Sequence, residues 1–103
     1  MTPVEKLQWQ QHLKDQLSSG ELTLGQAVQR IRTELYQMTQ AEYARICKVS
    51  EKTLREVEKG KTDPRLSIIE GLLNPGGFAL GARLKVNRVV PMAELVKRAG
   101  GKS

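Results

Sequence analysis

Apolar residues recur at helical spacing through most of the first seventy residues, in short segments that begin at capping residues. In the first segment three leucines recur close to helical spacing: Leu7, Leu13 and Leu17. Thr2 is an N-cap residue type and Pro3 suits the first helical position, whereas Ser18-Ser19-Gly20 ends the pattern. A first helix is therefore predicted between Thr2 and this run.

A second amphipathic segment follows Thr23. Its apolar residues are spaced by four, three and four positions, which places them on one helical face: Leu24, Val28, Ile31 and Leu35. Arg30, Arg32 and Glu34 are predicted to occupy the opposite face. The spacing therefore predicts a helix whose charged side faces water.

Two short helices are predicted next, joined by a tight turn. Thr39, with Glu42 three positions later, forms a capping-box pattern. This helix is expected to bury Tyr43, Ala44 and Cys47. Ser50 caps the next helix, which stops at Gly60. Its inward residues are Leu54 and Val57.

The hydrophobic period changes after residue 77. Before that point, Asp63-Pro64 is predicted to open a further helix with the apolar residues Leu66, Ile69, Leu72 and Leu73. Asn74-Pro75-Gly76-Gly77 breaks that helix. Over residues 78–86 apolar and other positions alternate, which is the period of a half-buried strand. Residues 91–99 are predicted to form a last short helix.

The two short helices match the requirements of a helix-turn-helix over residues 39–60. Such a unit needs a small residue at the helix crossing, an apolar plug in the turn and a free outer face on its second helix. The candidates for the buried roles are Ala44, Val49, Leu54 and Val57. The outer face carries side chains able to bond to base edges and phosphates: Ser50, Glu51, Lys52, Thr53, Arg55, Glu56 and Lys59.

The string over residues 38–64, M-T-Q-A-E-Y-A-x-x-C-K-V-S-x-x-T-L-R-x-V-E-K-G-K-x-x-P, resembles the Cro/C1-type (XRE) helix-turn-helix family of phage repressors and their bacterial relatives. The likeness extends over about residues 24–73, half of the chain. It implies a lambda-repressor-like helical domain that binds double-stranded DNA.

The resemblance also implies roles for individual residues. Gln40 matches the family's phosphate-binding glutamine, at a helix N-terminus whose exposed amides favour phosphate. Base reading in the major groove falls to Glu51, Lys52, Arg55 and Glu56. Lys59 and Lys61 match positions that meet backbone phosphate. Glu58 matches a structural glutamate, which we expect to pair with Arg32.

Three features depart from the family pattern. Lys48 stands where the turn usually has glycine, so it is expected to hold a left-handed conformation at a cost of about 1 kcal/mol. Tyr36-Gln37 adds one residue before the motif, which shifts the register between Arg32 and Glu58. Acidic side chains on the outer face accept hydrogen bonds from cytosine but repel phosphate, so the base preference stays open.

The formal net charge of +6 is concentrated toward the C-terminus. Residues 1–20 are neutral overall, residues 21–64 carry +1 and residues 65–103 carry +5. A basic protein tends to meet polyanions, of which nucleic acid is the commonest. A solvated basic surface accounts for the charge equally well.

Few residues offer other chemistry. A lone Cys47 and a lone His12 give no disulfide and no basis for a metal site, and neither has a partner for catalysis. We therefore expect no cofactor and no enzyme activity. No apolar run approaches the roughly 20 residues needed to cross a membrane. Residues 1–7 lack the pattern of a signal peptide, so a cytoplasmic protein without a membrane partner is expected.

The predicted strand has no evident partner strand in the chain. An unpaired edge favours association, so the same strand of a second copy is the expected partner, giving a two-fold dimer. The residues assigned to this interface are Phe78, Leu80, Ala82 and Leu84. Such a dimer places two reading helices about one DNA turn apart on a palindromic site. A strand folded against its own helices is the alternative.

These patterns predict a mainly α-helical protein with a helix-turn-helix. An N-terminal helical extension spans residues 1–20, the DNA-binding domain residues 21–74, and the strand, short helix and tail for dimerisation residues 75–103. The predicted function is sequence-specific binding of double-stranded DNA as a transcriptional repressor. Two alternatives stay open: an antitoxin that represses its own operon and binds a toxin, and a protein–protein adaptor on the same fold.

Overall fold

The computed structural model describes residues 1–61, 65–79, 85–86 and 89–100, and these residues are mainly helical. Six α-helices are present among them: α1 (Pro3–Ser19), α2 (Leu24–Arg30), α3 (Gln40–Cys47), α4 (Glu51–Lys59), α5 (Leu66–Leu73) and α6 (Met92–Gly100). A π-helical turn, Ile31–Leu35, continues α2, and a 3-10 turn, Asn74–Gly76, follows α5. Two short strands, β1 (Phe78–Ala79) and β2 (Lys85–Val86), complete the order.

Side-chain caps start the first three helices where the sequence predicts them. Thr2, Thr23 and Thr39 each accept a hydrogen bond from the backbone N–H three residues later, and the side chain of that later residue accepts from the threonine's own N–H. In α3 these two bonds measure 3.1 and 2.9 Å. They satisfy amides that have no partner within the helix. The predicted caps at Thr2 and Thr39 are confirmed.

The predicted buried face of the second helix is partly wrong. Leu24, assigned to the buried face, is 38% exposed, and Arg32, assigned to the opposite face, is only 8% exposed. Arg32 lies four residues after the fully buried Val28, on the same side of the helix. Its burial is tolerated because each of its three guanidinium nitrogens donates a hydrogen bond, as described below.

The π-helical turn lies directly after α2. The N–H of Tyr36 donates to the carbonyl of Ile31 at 3.2 Å, five residues back. A π turn holds one residue more than an α turn. The segment before α3 can therefore take up an additional residue without losing its backbone hydrogen bonds.

The core lies between α1, α2, α3, α4, α5 and α6. Its largest fully buried side chains are Tyr43, Phe78, Leu13, Ile31, Leu54, Leu72, Leu73 and Leu95. Cys47, predicted to be buried, is half-buried, whereas its neighbour Ile46 is buried. The helices predicted around residues 66–73 and 91–99 are confirmed. The first of them begins after Arg65, whose side chain makes no capping hydrogen bond. Asp63 and Pro64 lie outside the described residues.

The prediction of one continuous strand over residues 78–86 is wrong. The two ends of that segment form separate strands that pair antiparallel, with Phe78 opposite Val86 and Ala79 opposite Lys85. Phe78 is 0% exposed and belongs to the core of its own chain, so it is not available to a second copy. Leu80, Ala82 and Leu84 lie outside the described residues. The dimer prediction rested on an unpaired strand. At both of its described ends, this segment is instead paired within its own chain.

Tyr36 ties the C-terminal part of the fold to the helices. Its hydroxyl lies 2.6 Å from the carbonyl oxygens of both Pro75 and Val90. The N–H of Val90 also donates to the Pro75 carbonyl at 2.9 Å. Burial raises the pKa of Tyr36, so the phenol stays protonated and keeps this donor. These bonds hold the segment before α6 against the 3-10 turn.

Helix α1 docks through the fully buried Leu13 and through two side-chain hydrogen bonds. Gln10 is buried and donates to the carbonyl of Gly76 at 3.1 Å. The indole N–H of Trp9 donates to Glu34 at 2.9 Å, and Glu34 also pairs with Arg30. α1 is thereby fixed to both the 3-10 turn and the π-helical turn.

Helix α2 crosses the end of α4 at a glycine. A Cβ placed on Gly25 would lie 2.1 Å from the carbonyl oxygen of Val57 and 3.3 Å from that of Glu58. Both obstacles are backbone atoms of α4, which cannot rotate away. Only glycine therefore allows this approach of the two helices.

We expect Gly25→Ala to lower the free energy of unfolding by at least about 2 kcal/mol, because the helices must separate to admit one methyl group. Gly71→Ala in α5 is the matched control, because a Cβ there meets nothing within 4 Å. It is expected to raise the free energy of unfolding by up to about 1 kcal/mol. Urea denaturation followed by circular dichroism measures both, and equal effects of the two variants would contradict the expectation.

Candidate nucleic-acid interface

A three-residue turn, residues 48–50, joins α3 to α4. Lys48 has φ 60° and ψ 41°, so the expected left-handed conformation is confirmed. Its N–H donates to the backbone carbonyl of Arg45 at 3.2 Å, and the N–H of Val49 donates to the carbonyl of Ala44 at 3.0 Å. These two bonds close the end of α3. Val49 is half-buried and Ala44 almost fully buried. The turn thus redirects the chain within three residues.

Helix α4 has one buried side and one polar side. Leu54 and Val57 are buried, as predicted. Ser50 caps the helix by accepting from the N–H of Thr53 at 3.0 Å, and Gly60 ends it with φ 70°. The polar side chains are exposed at Glu51, Lys52, Arg55 and Lys59 and half-buried at Thr53 and Glu56. α4 is therefore anchored from one side and open on the other.

A buried ion pair holds the C-terminal end of α4. Arg32 Nε donates to Glu58 Oε2 at 2.7 Å, and Arg32 Nη2 donates to Glu58 Oε1 at 2.9 Å. This bidentate arrangement is the strongest geometry for such a pair. Arg32 Nη1 also donates to the carbonyl of Met38 at 2.9 Å. The pairing of Arg32 with Glu58 expected from the sequence is confirmed.

Gln40 joins the same network from the first residue of α3. Its amide nitrogen donates to Glu58 Oε1 at 3.0 Å. An amide nitrogen carries two hydrogens, and this bond uses one of them. The network therefore fixes the start of α3 relative to the end of α4, and it orients the Gln40 side chain.

The exposed charges of α4 interact weakly with one another. Arg55 Nη2 lies 3.7 Å from Glu51 Oε2, one helical turn away, and both side chains are about half exposed. An exposed pair of this kind contributes about 0.2–1 kcal/mol. Arg55 is therefore able to leave Glu51 for a stronger partner. Lys59 and Lys61 are exposed at the other end of the helix.

The residues assigned to DNA binding fall into one continuous stretch, residues 50–61, and one additional residue, Gln40. The bond between Gln40 and Glu58 joins the two sets. Sequence reasoning missed this bond and the contact of Arg32 with the Met38 carbonyl. The contact with Met38 could have been anticipated from the added residue before the motif, where Gln37 adopts a φ of 53°.

In the described ranges, no group of three or more His, Cys, Asp and Glu is placed to hold a metal ion. No helix there is both long enough and apolar enough to cross a membrane.

Cys47 is a poor nucleophile in its setting. Burial raises the pKa of its thiol to about 11, against the smaller lowering effects of the Tyr43 hydroxyl and the Arg98 charge. The thiolate is the reactive form, so a raised pKa suppresses its reactivity near neutral pH.

No protein-family model, no curated protein and no solved structure matches the chain. The family resemblance therefore stays a prediction that the motif residues carry alone.

We expect Glu58→Gln to lower the free energy of unfolding by about 3 kcal/mol or more, because it leaves the Arg32 charge buried without its counter-ion. Glu51→Gln is the control, because it removes the exposed pair between Glu51 and Arg55 on the same helix. It is expected to change the free energy of unfolding by less than about 1 kcal/mol. Urea denaturation of the two variants and the wild type gives the comparison. Equal stability of the two variants would mean that the buried pair contributes no more than the exposed one.

Alkylation rates test the state of Cys47. At pH 8 the folded protein is expected to react with iodoacetamide about a hundredfold more slowly than the same chain unfolded in urea. The rate should rise as the pH approaches 11, where the thiol loses its proton. Mass spectrometry of timed samples follows the reaction, and similar rates at pH 8 in both states would show that the thiol is not protected.

Proposed function

We propose that the protein binds double-stranded DNA through α4 and represses transcription by occupying an operator that overlaps a promoter. The observation that carries this proposal is the two-sided environment of α4. Leu54, Val57 and Glu58 anchor the helix from within, while its other side presents charged and hydroxyl side chains. A helix of this kind, supported by a second helix across a tight turn, fits the DNA major groove.

Base recognition is assigned to the first two turns of α4. Arg55 and Lys52 are exposed and have the donor groups that guanine accepts, and Glu51 is suited to the amino group of cytosine. The weak pair between Arg55 and Glu51 leaves each free to exchange its partner for a base. Glu56 lies further along the same helix. Ser50 and Thr53 bond to each other at 2.8 Å, and their hydroxyl oxygens can still accept a further hydrogen bond.

Backbone phosphates are assigned to Gln40, Lys59 and Lys61. Gln40 lies at the start of α3, where the helix dipole and the unpaired amides attract anions, and its second amide hydrogen is available to a phosphate. Lys59 and Lys61 extend into solvent near the end of α4. These contacts would position α4 without reading the sequence. The net charge of +6 favours the same partner.

We further propose that two copies bind one operator, with the family resemblance as the support. A nine-residue helix reaches only a short run of base pairs, so a second copy about one DNA turn away adds both affinity and sequence length. The interface between copies is not assigned to Phe78, because that side chain is buried in its own chain. Native mass spectrometry of the complex with DNA counts the copies bound.

We expect Arg55→Ala to weaken specific binding by at least about tenfold, since a bidentate base contact contributes about 1–3 kcal/mol. The duplex is the DNA upstream of the gene, fluorescently labelled, and anisotropy is measured near physiological salt with excess scrambled duplex. Arg45→Ala is the matched control, because Arg45 is an exposed arginine on α3 outside the assigned surface.

Lys59→Ala should weaken binding to the upstream duplex and to the scrambled duplex alike, and it should reduce the dependence of the affinity on salt.

Two results would contradict the proposal. One is wild-type affinity that is the same for upstream and scrambled DNA and hardly changes with salt. The other is an equal loss of binding in Arg55→Ala and Arg45→Ala, which would remove the reading role from α4.

A further inference from the structure

A groove of about 470 Å³ opens between the end of α3, the junction of α5 with the 3-10 turn, and α6. Its apolar lining consists of Ile46, Cys47 and Pro75, and its polar lining of Lys48, Asn74 and Arg98. Small-molecule sites in proteins have volumes of about 300–1,000 Å³ and combine an apolar lining with a few polar groups. The groove is therefore large enough for a small organic molecule.

The charges at this groove are positive. Lys48 and Arg98 contribute two cations, and its lining contains no aspartate or glutamate. Among the described residues no carboxylate lies within ion-pair distance of Lys48. Lys48 is exposed, and its backbone is held in the left-handed turn conformation at the end of α3. Its ammonium group is available to an anion.

Arg98 reaches the same place from α6. One of its nitrogens, Nη2, donates to Glu94 at 3.1 Å, which leaves most of the five guanidinium N–H groups for other acceptors. Its positive charge lowers the pKa of both Cys47 and Tyr36, against the larger effect of burial. Arg98 itself lines the groove, together with Ile46, Cys47 and Pro75.

We propose that this groove binds a small organic anion, a carboxylate or sulfonate on a compact apolar or aromatic body. The anionic group lies between Lys48 and Arg98, with the Asn74 amide as a further donor. The apolar body lies against the half-buried Cys47 and the small exposed parts of Ile46 and Pro75. This site does not use the residues assigned to DNA, and it stands whether or not the protein binds DNA.

Gly71 offers a way to fill the groove without disturbing the fold. It belongs to α5 and lines the groove, and an added Cβ meets nothing within 4 Å. A leucine there would occupy the space that the ligand needs, and it also favours the helix over glycine. Gly71→Leu therefore blocks the site, and Gly71→Ala is its control because a methyl group leaves most of the space open.

The test uses 8-anilinonaphthalene-1-sulfonate, an aromatic sulfonate whose fluorescence rises in apolar surroundings. The wild type is expected to bind one molecule saturably. Lys48→Gln and Arg98→Gln should each weaken binding by about tenfold, because each removes one cation from the anion. Lys52→Gln on α4 is the charge-matched control and should leave the affinity unchanged. N-phenyl-1-naphthylamine, which lacks the sulfonate, should bind at least about tenfold more weakly to the wild type.

Gly71→Leu should abolish saturable binding, whereas Gly71→Ala should retain it. The urea concentration at the unfolding midpoint of both variants should be at least as high as that of the wild type. Four outcomes would overturn the proposal. They are no saturable binding by the wild type, unchanged binding in Gly71→Leu, a loss in Lys52→Gln equal to that in Lys48→Gln, and equal affinity for the uncharged probe. If Gly71→Ala lost binding as completely as Gly71→Leu, that result would also count against binding in the groove.

Discussion

The ion pair between Arg32 and Glu58 is the centre of a network that joins three helical segments, which approach one another only in the folded state. Arg32 lies in the π-helical turn after α2, Glu58 near the end of α4, and their network extends to Gln40 at the start of α3 and to the carbonyl of Met38. Burying two charges costs desolvation energy, so the pair need not add much net stability. It fixes α4 relative to the π-helical turn, because separating the pair would leave a buried charge without its counter-ion. The bond from Gln40 extends this constraint to the start of α3.

The polar surface of α4 depends on this constraint and on two backbone features. Lys48 accepts a left-handed conformation so that the chain can reverse within residues 48–50. Gly25 lets α2 contact the backbone of α4 directly, which no side chain at that position would permit. α4 is thus held by the turn at its start, by α2 along its end and by an ion pair from the π-helical turn. The exposed polar side chains of α4 have no such constraints.

Sequence patterns predicted most helices because helix caps and apolar spacing are local. Thr39 with Glu42, and Ser50 with Gly60, mark α3 and α4 without reference to the rest of the chain. Helical periodicity misplaced Arg32 because hydropathy treats an arginine as solvent-facing. Only the family resemblance supplied its partner, Glu58, which lies 26 positions away. The strands β1 and β2 were predicted as one because alternation has the same period in one long strand and in two short ones. The groove brings together residues near 47, 74 and 98, a proximity that only the tertiary fold creates.

The bond between Trp9 and Glu34 has a practical consequence. Trp9 is the chain's only tryptophan, and it sits at the contact between α1 and the π-helical turn. The intrinsic ultraviolet emission of the protein therefore comes mainly from a reporter of this one contact. If α1 detaches before the other helices melt, the emission will shift at a lower denaturant concentration than the helical signal does. Coincident transitions would instead mean that the N-terminal helix and the remainder unfold as one cooperative unit.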